Sequence, residues 1–221
     1  INGQVVTVMG PLLSGSSVVM PSRFRVSRFW DWVSMHHCTW FSAVPTIISY
    51  LLGAQEAGVE PEKKVLAHVR FGRSASAALP PAVHTAFVER FGIPLVETMG
   101  ITETAAPILS NPLNPKVHRI GSPGKSCGNE VRIADEYSTI LESGSEGEIQ
   151  VRGHNVMKGY LKDPEKTREA FTRDGWYRTG DLGRMDQDGY VFVTGRIKEL
   201  IIKGGENIAP REIDDVLYQF P

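Results

Sequence analysis

The first part of the chain alternates short apolar runs with segments of helical periodicity. Three β-branched runs predict strands, at Val5–Val8, Val18–Met20 and Thr39–Val44. A helix is predicted around Trp32, where apolar residues recur at helical spacing, and another over Pro45–Leu52, which ends at Gly53. This alternation of strands and helices is typical of an α/β protein with a mainly parallel sheet.

A further helix and strand lead into a polar motif. Pro80 and Pro81 predict the start of a helix, because proline fits the first helical turn. Its spacing predicts four inward-facing residues, Val83, Ala86, Phe87 and Phe91. The predicted strand Ile93–Glu97 then runs straight into the residues TMGITET, so this motif falls where a strand ends.

The pattern of turns and apolar segments changes after about Pro115. Between Ile120 and Thr194 the turns are dense and the segments between them are short and β-prone, apart from a helical stretch at Asp163–Phe171. A small antiparallel sheet or barrel fits this pattern. We therefore predict three parts: an α/β part at 1–118, an antiparallel part at 119–195 and the beginning of a further domain at 196–221.

The last part is predicted to contain a strand, a turn and a helix. The strand is Leu200–Lys203, the turn is the GGEN sequence, and Pro210 stands near the first turn of the helix. This helix has one apolar stripe, formed by Ile213, Val216, Leu217 and Phe220. We expect that stripe to pack against a segment outside these 221 residues.

The composition excludes several classes of function. The 24 basic and 25 acidic side chains give a formal net charge of −1, which argues against nucleic-acid binding. No apolar run approaches the about 20 residues that cross a bilayer. The histidines do not have the spacing of metal hydrolases. The cysteines Cys38 and Cys127 form no disulfide framework, which predicts a reducing compartment, the cytoplasm or an organelle interior. The sequence leaves a homo-oligomer open.

The residues Thr98–Thr104 combine a glycine, hydroxyls and a carboxylate at the end of a predicted strand. Ligands of parallel sheets bind at this edge. Thr102 is suited to donate to a phosphate oxygen, and Glu103 is suited to hold Mg²⁺, which prefers oxygen ligands. The alternative is that Thr102 caps a helix and that Glu103 serves its N-terminus. Both interpretations stay open on these residues alone.

A second set of polar residues surrounds a predicted hairpin. Asp181 follows Thr179 and Gly180, and a carboxylate there could accept hydrogen bonds from the two vicinal hydroxyls of a ribose. Arg196 could bind the same sugar or a neighbouring phosphate. The alternatives are a turn residue for Asp181 and a solvated strand end for Arg196.

The order and spacing of these motifs resemble those of the adenylate-forming enzymes, which include acyl-CoA synthetases, aryl-CoA ligases and luciferases. TMGITE resembles the family's Tyr-Gly-Met-Thr-Glu segment, YRTGDL its ribose-binding motif and GRIKELIIKGGENIAPREID its hinge and thioester-forming loop. GEIQVRG with MKGYLKDPEKT resembles another family motif, and SASAALP resembles the adenine loop. The resemblance covers nearly the whole chain. It implies an α/β fold that belongs to the family's large N-terminal domain, with a small β-barrel and the start of the small α+β C-terminal domain.

The resemblance also implies roles for individual residues. The implied nucleotide and coenzyme A contacts are Ser76, Ala77, Ala78, Thr98, Met99, Gly100, Asp181, Arg196 and Gly205. Of these, Gly205 would lie beside the pantetheine arm, and Met99 replaces the aromatic residue that the family stacks on adenine. The residues implicated in catalysis are Thr102 at the α-phosphate, Glu103 as the metal ligand and Lys198 as the hinge between the domains.

The family's reaction has two halves and requires ATP, Mg²⁺ and coenzyme A. A carboxylate attacks the α-phosphorus of ATP to give an acyl-adenylate, and the thiol of coenzyme A then takes the acyl group. The implied function is therefore that of an ATP-dependent acyl-CoA ligase for a fatty or aryl acid. Three alternatives stay open: an acyl-AMP ligase with another acceptor, a ligase for a small dicarboxylate such as oxalate, and a nucleotide-binding module without chemistry.

The resemblance further implies that these residues are part of a longer protein. The family's phosphate loop is expected upstream of Ile1, and its catalytic lysine is expected beyond Pro221. The 221 residues alone are accordingly expected to be inactive.

Overall fold

The computed structural model describes residues 2–54, 61–105, 107–203 and 206–217. Within these ranges the strands are Trp40–Ala43 (β1), Phe71–Ser74 (β2), Leu95–Gly100 (β3), Pro107–Ser110 (β4), Lys125–Ser126 (β5), Glu130–Ala134 (β6), Glu146–Arg152 (β7), Tyr177–Met185 (β8), Val191–Arg196 (β9), Ile201–Lys203 (β10) and Glu206–Ile208 (β11). The α-helices are Gly10–Leu13 (α1), Val26–Met35 (α2), Pro45–Gly53 (α3), Lys63–Leu66 (α4), Pro81–Phe91 (α5), Pro164–Ala170 (α6) and Pro210–Leu217 (α7). A π-helical segment covers Asn2–Met9, and 3₁₀ turns cover Thr102–Thr104, Pro115–Val117 and Ile197–Glu199.

The first sheet has five strands in the order β1-β2-β3-β4-β5. The pairs β1–β2 and β2–β3 are parallel, whereas β4 and β5 join in antiparallel fashion. In the parallel part, Ser42, Arg73 and Val96 lie side by side in register on three adjacent strands. The predicted α/β fold with a parallel sheet is therefore confirmed.

One face of the parallel strands packs against the helices and forms the larger core. Gly72 leaves room there, because a Cβ at this position would lie 2.5 Å from the ring of Phe41 and 2.9 Å from Leu95. The buried residues of this core are Trp30, Val33, Phe41, Ala43, Ile48, Leu51, Val65, Val69, Leu79, Phe87, Phe91, Ile93 and Leu95. Because side chains alternate along a strand, residues adjacent to Gly72 point to the other face of the sheet.

The second sheet consists of β6, β7, β8 and β9 in sequential order, and every pairing is antiparallel. It lies where the sequence predicted a small antiparallel sheet or barrel. A second core joins it to the first sheet through Ile108, Leu109, Ile133, Ile149, Val151 and Val191. Strand β5 belongs to the first sheet and β6 to the second, and the boundary proposed at 118/119 stays a prediction.

Several predicted elements are confirmed, and others are wrong. Helices α3 and α5 begin at predicted prolines, α6 lies within the predicted stretch Asp163–Phe171, and Asp163 caps α6 by accepting from the backbone N–H of Lys166. The strand predicted at Val5–Val8 is π-helical instead, and Val18–Met20 forms no strand. A β-branched run becomes a strand only when it pairs with a neighbour, and these two runs pair with none of the described strands.

The inward face of α5 also differs from its prediction. Ala86 is exposed, whereas His84 is buried. The imidazole tolerates burial because its Nδ1 lies 2.8 Å from Oε1 of Glu97, a buried carboxylate on β3. A polar residue therefore occupies a position that periodicity assigns to an apolar one.

The C-terminal part contains the predicted strand and helix with a second strand between them. Strands β10 and β11 pair in antiparallel fashion, so Glu206 and Asn207, which were predicted as part of the GGEN turn, belong to a strand instead. On α7, Ile213, Val216 and Leu217 are exposed, and the segment against which this stripe packs stays a prediction. Phe220 lies outside the described residues.

Candidate active site

A cavity of about 490 Å³ lies between the carboxyl ends of β2 and β3 and the β8–β9 hairpin. We call it the Asp181 cavity. Its lining includes eight residues singled out from the sequence, Ser76, Ala77, Ala78, Thr98, Met99, Gly100, Asp181 and Arg196. The two parallel strands end at one sheet edge, which is where such sheets bind ligands. The fold therefore brings together residues that lie more than a hundred positions apart.

Asp181 and Arg196 are cross-strand partners on β8 and β9. The Nε of Arg196 donates to Oδ1 of Asp181 at 2.8 Å. Asp181 is only 3% exposed, and its other oxygen, Oδ2, is buried without a hydrogen-bond partner among the described residues. Burial raises the pKa of Asp181, while Arg196 acts in the opposite direction. Asp181 thus lies within a strand, which excludes the alternative of a turn residue.

Buried polar contacts hold the strand around Asp181 in position. The backbone N–H of Asp181 donates to the hydroxyl of Thr179 at 3.0 Å, and that hydroxyl donates to the carbonyl of Ile149 at 2.7 Å. The N–H of Gly180, whose φ of +73° suits glycine, donates to Oε1 of Glu148. Glu148 is buried and also forms an ion pair with Arg178 at 3.0 Å. The carboxylate of Asp181 is therefore fixed before a ligand arrives.

The loop after β2 forms the opposite wall of the Asp181 cavity. Ser76 has a φ of +74°, a left-handed conformation that a serine rarely adopts. Backbone strain of this kind concentrates at functional sites. Ser74, at the end of β2, lines the same cavity, and its hydroxyl is buried without a hydrogen-bond partner among the described residues. This wall consequently combines small side chains with a buried polar atom.

A second cavity of about 460 Å³ adjoins the first and shares Ser76, Gly100, Ile101 and Arg196 with it. We call it the Glu103 cavity. Thr102 and Glu103 line it. The hydroxyl of Tyr160 donates to Oε1 of Glu103 at 3.1 Å. Both predicted phosphate and metal residues therefore lie beside the residues predicted to bind the nucleoside.

The helix-cap alternative for Thr102 does not hold in its simple form. Thr102 begins a short 3₁₀ turn, but the hydroxyl that bonds to the backbone of Ile101 at the start of that turn belongs to Thr104. Thr102 is itself exposed toward the Glu103 cavity. Its hydroxyl is therefore not needed for the cap.

The environment of Glu103 fits one carboxylate ligand of Mg²⁺. The described residues contain no group of three or more His, Cys, Asp or Glu side chains that could form a protein cage for a metal. Mg²⁺ at a nucleotide commonly takes one or two carboxylates, with phosphate oxygens and waters filling the other positions. The hydrogen bond from Tyr160 occupies one oxygen of Glu103. The hydroxyl of Tyr177 lies 3.4 Å from the hydroxyl of Tyr160. Burial raises the pKa of Tyr177, so the Tyr177 hydroxyl stays protonated.

Two of the implied residues do not reach these cavities. Lys198 is exposed in the 3₁₀ turn Ile197–Glu199, directly after β9, and does not line either cavity. Gly205 lies outside the described residues. The predicted roles of both residues stay predictions.

The structure also adds residues that sequence reasoning missed. Glu97 lines the Asp181 cavity and is held by His84, and Arg73 lines the Glu103 cavity. Glu97 directly precedes TMGITE, and Arg73 directly precedes SASAALP. Their proximity to recognisable motifs was a usable signal, since cavity walls extend beyond motif boundaries.

Comparison with known proteins identifies the class to which this site belongs. The AMP-binding enzyme family matches residues 1–161, so the chain belongs to that family. The resemblance to adenylate-forming enzymes is thereby confirmed. None of the helices in the described ranges has the length and apolar character needed to traverse a bilayer.

Individual relatives are similar along the whole chain. The chain is 57% identical over 221 residues to the sulfoacetate–CoA ligase of Cupriavidus necator, and it covers 42% of that protein. It is 40% identical over 224 residues to the oxalate–CoA ligase of Arabidopsis thaliana, of which it covers 43%. The crystal structure of ATP-bound MatB from Rhodopseudomonas palustris matches with a TM-score of 0.91 and 34% identity, over 100% of this chain and 42% of that one. The chain thus spans less than half the length of these relatives.

Proposed function

We propose that the full-length protein is an ATP-dependent, AMP-forming ligase that activates a carboxylic acid and transfers its acyl group to coenzyme A. The observation that carries this proposal is the buried Oδ2 of Asp181, which has no hydrogen-bond partner among the described residues. A buried acceptor without a partner is costly in a native protein, unless a ligand supplies the donor. The cavity in front of it has the size and lining expected for a nucleoside.

The vicinal hydroxyls of a ribose are suitable donors for this carboxylate. Arg196 uses one hydrogen-bonding position on Oδ1, which leaves Oδ2 and the second lone pair of Oδ1 as acceptors. The adenine would then extend toward Ser76, Ala77, Ala78 and Met99, which are small or apolar. Met99 would pack against the purine through its polarisable thioether. The carbonyl and amide groups around Gly100 would stay accessible, because glycine has no side chain.

The phosphates would lie toward the Glu103 cavity. Thr102 would donate to the α-phosphate, and Glu103 would serve as the protein ligand of Mg²⁺. When bound, Mg²⁺ neutralises phosphate charge. Thr102 and Arg196 act in the same sense, because fixed donors and positive charge favour the charge that develops during attack on phosphorus. The attacking carboxylate of the acid must therefore lie where the two cavities meet.

The acid itself belongs to one of two groups. Fatty and aryl acids fit the apolar part of the lining, to which Val6 and Pro107 contribute. Small diacids are the alternative, since the acids in the names of two relatives, sulfoacetate and oxalate, each carry a second acidic group.

The remaining proposals are that Gly205 lies beside coenzyme A, that Lys198 is the hinge, and that residues 196–221 begin the mobile domain. We also propose a cytoplasmic protein, since Cys38 and Cys127 are free thiols.

The proposal is tested by isotope exchange between pyrophosphate and ATP, measured on the full-length protein with a panel of acids. We expect acid-dependent exchange in the wild type and its loss in Asp181→Ala. Asp188→Ala is the matched control, because Asp188 is an exposed aspartate between β8 and β9 and pairs only with Arg119 in the described structure. Exchange that persists in Asp181→Ala would refute the ribose assignment. AMP binding without exchange for any acid would favour a nucleotide-binding module without chemistry.

Acceptor choice is tested separately by product analysis with and without coenzyme A. Formation of an acyl-CoA only when coenzyme A is present supports the ligase. An acyl-adenylate that accumulates unchanged in the presence of coenzyme A would instead indicate an acyl-AMP ligase with another acceptor.

A further inference from the structure

A buried arginine lines the Glu103 cavity and has no role in the function proposed above. Arg73 lies on β2 and is 7% exposed. Its Nη1 donates to the hydroxyl of Ser42 on the neighbouring strand at 3.2 Å. Because the preceding residue, Gly72, faces Phe41 and Leu95 in the larger core, Arg73 points to the opposite face of the sheet. The fold therefore directs this charge away from the apolar core and toward the cavity.

The cavity around Arg73 is lined by two arginines, of which Arg196 already pairs with Asp181. Among the described residues that line it, Arg73 and Arg196 are the basic ones and Glu103 is the acidic one. The remaining lining is uncharged, with Val6, Ala75 and Pro107 among its members. Burial lowers the pKa of Arg73, yet a guanidinium keeps its proton at physiological pH. Arg73 is therefore suited to contact one anionic group of a ligand in this cavity.

We propose that Arg73 forms a subsite for a second anionic group, a carboxylate or a sulfonate, on the acid that this enzyme activates. This assignment rests on the proposed function and narrows its substrate class to small acids with two anionic groups. A guanidinium presents two parallel N–H groups that match the oxygens of either group. The reacting carboxylate would lie near Thr102, where the cavities meet, and the second group would point inward to Arg73.

The phosphates of ATP are the other anions that this cavity could receive. Their contacts fit the outer part of the cavity, because Thr102 is exposed and pyrophosphate has to leave for solvent after the first half-reaction. Arg73 is buried, so a substrate group that contacts it can remain enclosed during both half-reactions. The burial of Arg73 therefore favours the acid over the leaving phosphates.

The test uses full-length protein and pyrophosphate exchange with matched acids. Malonate and succinate carry two carboxylates, propionate and butyrate have the same carbon numbers with one, and octanoate and benzoate represent larger monoacids. We expect kcat/KM of the wild type to be at least about 100-fold higher for a diacid than for its matched monoacid, the scale of a buried charge-assisted contact. In Arg73→Met we expect this ratio to fall to within about threefold of unity, while KM for ATP stays within about twofold.

Two controls separate a lost subsite from a lost fold. Arg70→Met makes the same change at an exposed arginine that precedes the same strand and does not line the Glu103 cavity, and it should keep the wild-type ratio. AMP affinity of Arg73→Met, measured by calorimetry, should equal that of the wild type. If Arg73→Met does not fold, Arg73→Lys replaces it in the test, because lysine keeps the charge but lacks the paired N–H groups of the guanidinium. The proposal then predicts a high diacid-to-monoacid ratio of kcat/KM in the wild type and a lower ratio in Arg73→Lys.

The outcomes distinguish this assignment from the function on which it rests. Efficient exchange with octanoate, benzoate or the small monoacids, and none with diacids, would overturn the subsite and leave the ligase proposal intact. A higher KM for ATP in Arg73→Met, with equal losses for every acid, would assign Arg73 to the phosphates and overturn the subsite too. Exchange with none of the six acids, nor with oxalate or sulfoacetate, would contradict the proposed function and this assignment with it.

Discussion

The two walls of the Asp181 cavity are built differently. The hairpin wall, Asp181 and Arg196 on β8 and β9, carries a fixed ion pair with one buried oxygen left as an acceptor. The sheet-edge wall, 76–78 and 98–100, carries no charge and depends on small side chains and on an unusual backbone at Ser76. The difference indicates a division of labour. The hairpin wall is suited to recognise hydroxyl groups, and the sheet-edge wall is suited to shape a space for a flat base.

The largest effect is expected from Asp181→Asn on the hairpin wall. This change keeps the shape but replaces a charged acceptor by an amide, so AMP affinity should fall by about 100-fold, on the scale of a hydrogen bond to a charged group. Calorimetry on the full-length protein measures this loss. Asp188→Asn is the matched control and should bind AMP like the wild type, because Asp188 is exposed and lines neither cavity.

The pKa of Asp181 fixes the sign of two pH effects. Because burial raises this pKa in the folded state, protonation should weaken AMP binding at a higher pH than an ordinary aspartate would require. For the stability of the fold, the pH dependence has the opposite sign. Protonated Asp181 stabilises the folded protein at pH values below its unfolded-state pKa, and this contribution is lost as the pH rises through its folded-state pKa. Asp181→Asn should therefore not lower the free energy of unfolding at pH 7. Denaturant titration that finds a large loss would contradict this account.

The hinge beside the hairpin wall gives the next effect. Lys198→Pro fixes φ just after Arg196, so it should slow the coenzyme A half-reaction by about 30-fold and leave pyrophosphate exchange within about threefold. Lys198→Ala, which keeps the backbone freedom, should behave like the wild type in both assays. Equal losses in both half-reactions would argue against a hinge at this position.

A smaller effect is expected from the support beneath the hairpin wall. Glu148→Gln removes the ion pair with Arg178 and weakens the contact to the N–H of Gly180. AMP affinity should fall by about fivefold to tenfold, and the free energy of unfolding by about 1–3 kcal/mol. Glu146→Gln, at an exposed position on the same strand, should change neither quantity. A stability loss with unchanged AMP affinity would make Glu148 purely structural.

The smallest effect on binding is expected from the sheet-edge wall. Ser76→Gly relieves the left-handed backbone, so it should raise the free energy of unfolding by about 1 kcal/mol while AMP affinity stays within about threefold. Ala78 lines the same cavity but does not have a positive φ, so Ala78→Gly should lower the free energy of unfolding instead. Thermal unfolding and calorimetry on both variants test this contrast. A large loss of affinity in Ser76→Gly would remove the distinction between the walls.

The same contrast explains what the sequence alone could predict. Asp181, Thr102 and Glu103 stand in dense local motifs that also contain glycines, so a reader of the sequence finds them without knowing the fold. Arg73 and Glu97 stand beside such motifs but not within them, and the sequence does not show their contacts with Ser42 and His84, which come from other strands and helices. The strand prediction at Val5–Val8 was wrong for a related reason, since β-propensity does not supply a partner strand.

The fold was predictable where the sequence has both periodicity and end signals. Helix α5 begins at Pro81 and ends at Phe91, just before Gly92, which adopts a left-handed conformation, and both signals are visible in the sequence. The exposed side of that helix was harder to predict. Ala86 was assigned inward and is exposed, because the inward position went to His84, whose burial depends on Glu97 from another element.

The central claim is that Asp181 accepts hydrogen bonds from the ribose hydroxyls, and a binding cycle tests it most directly. Calorimetry on the full-length protein compares AMP with 2′,3′-dideoxy-AMP, for the wild type and for Asp181→Asn. The account predicts that the wild type loses about 100-fold in affinity when the hydroxyls are removed, and that the variant, already weak, loses less than about threefold. Equal losses in both proteins would contradict it, because the hydroxyls would then bind without Asp181.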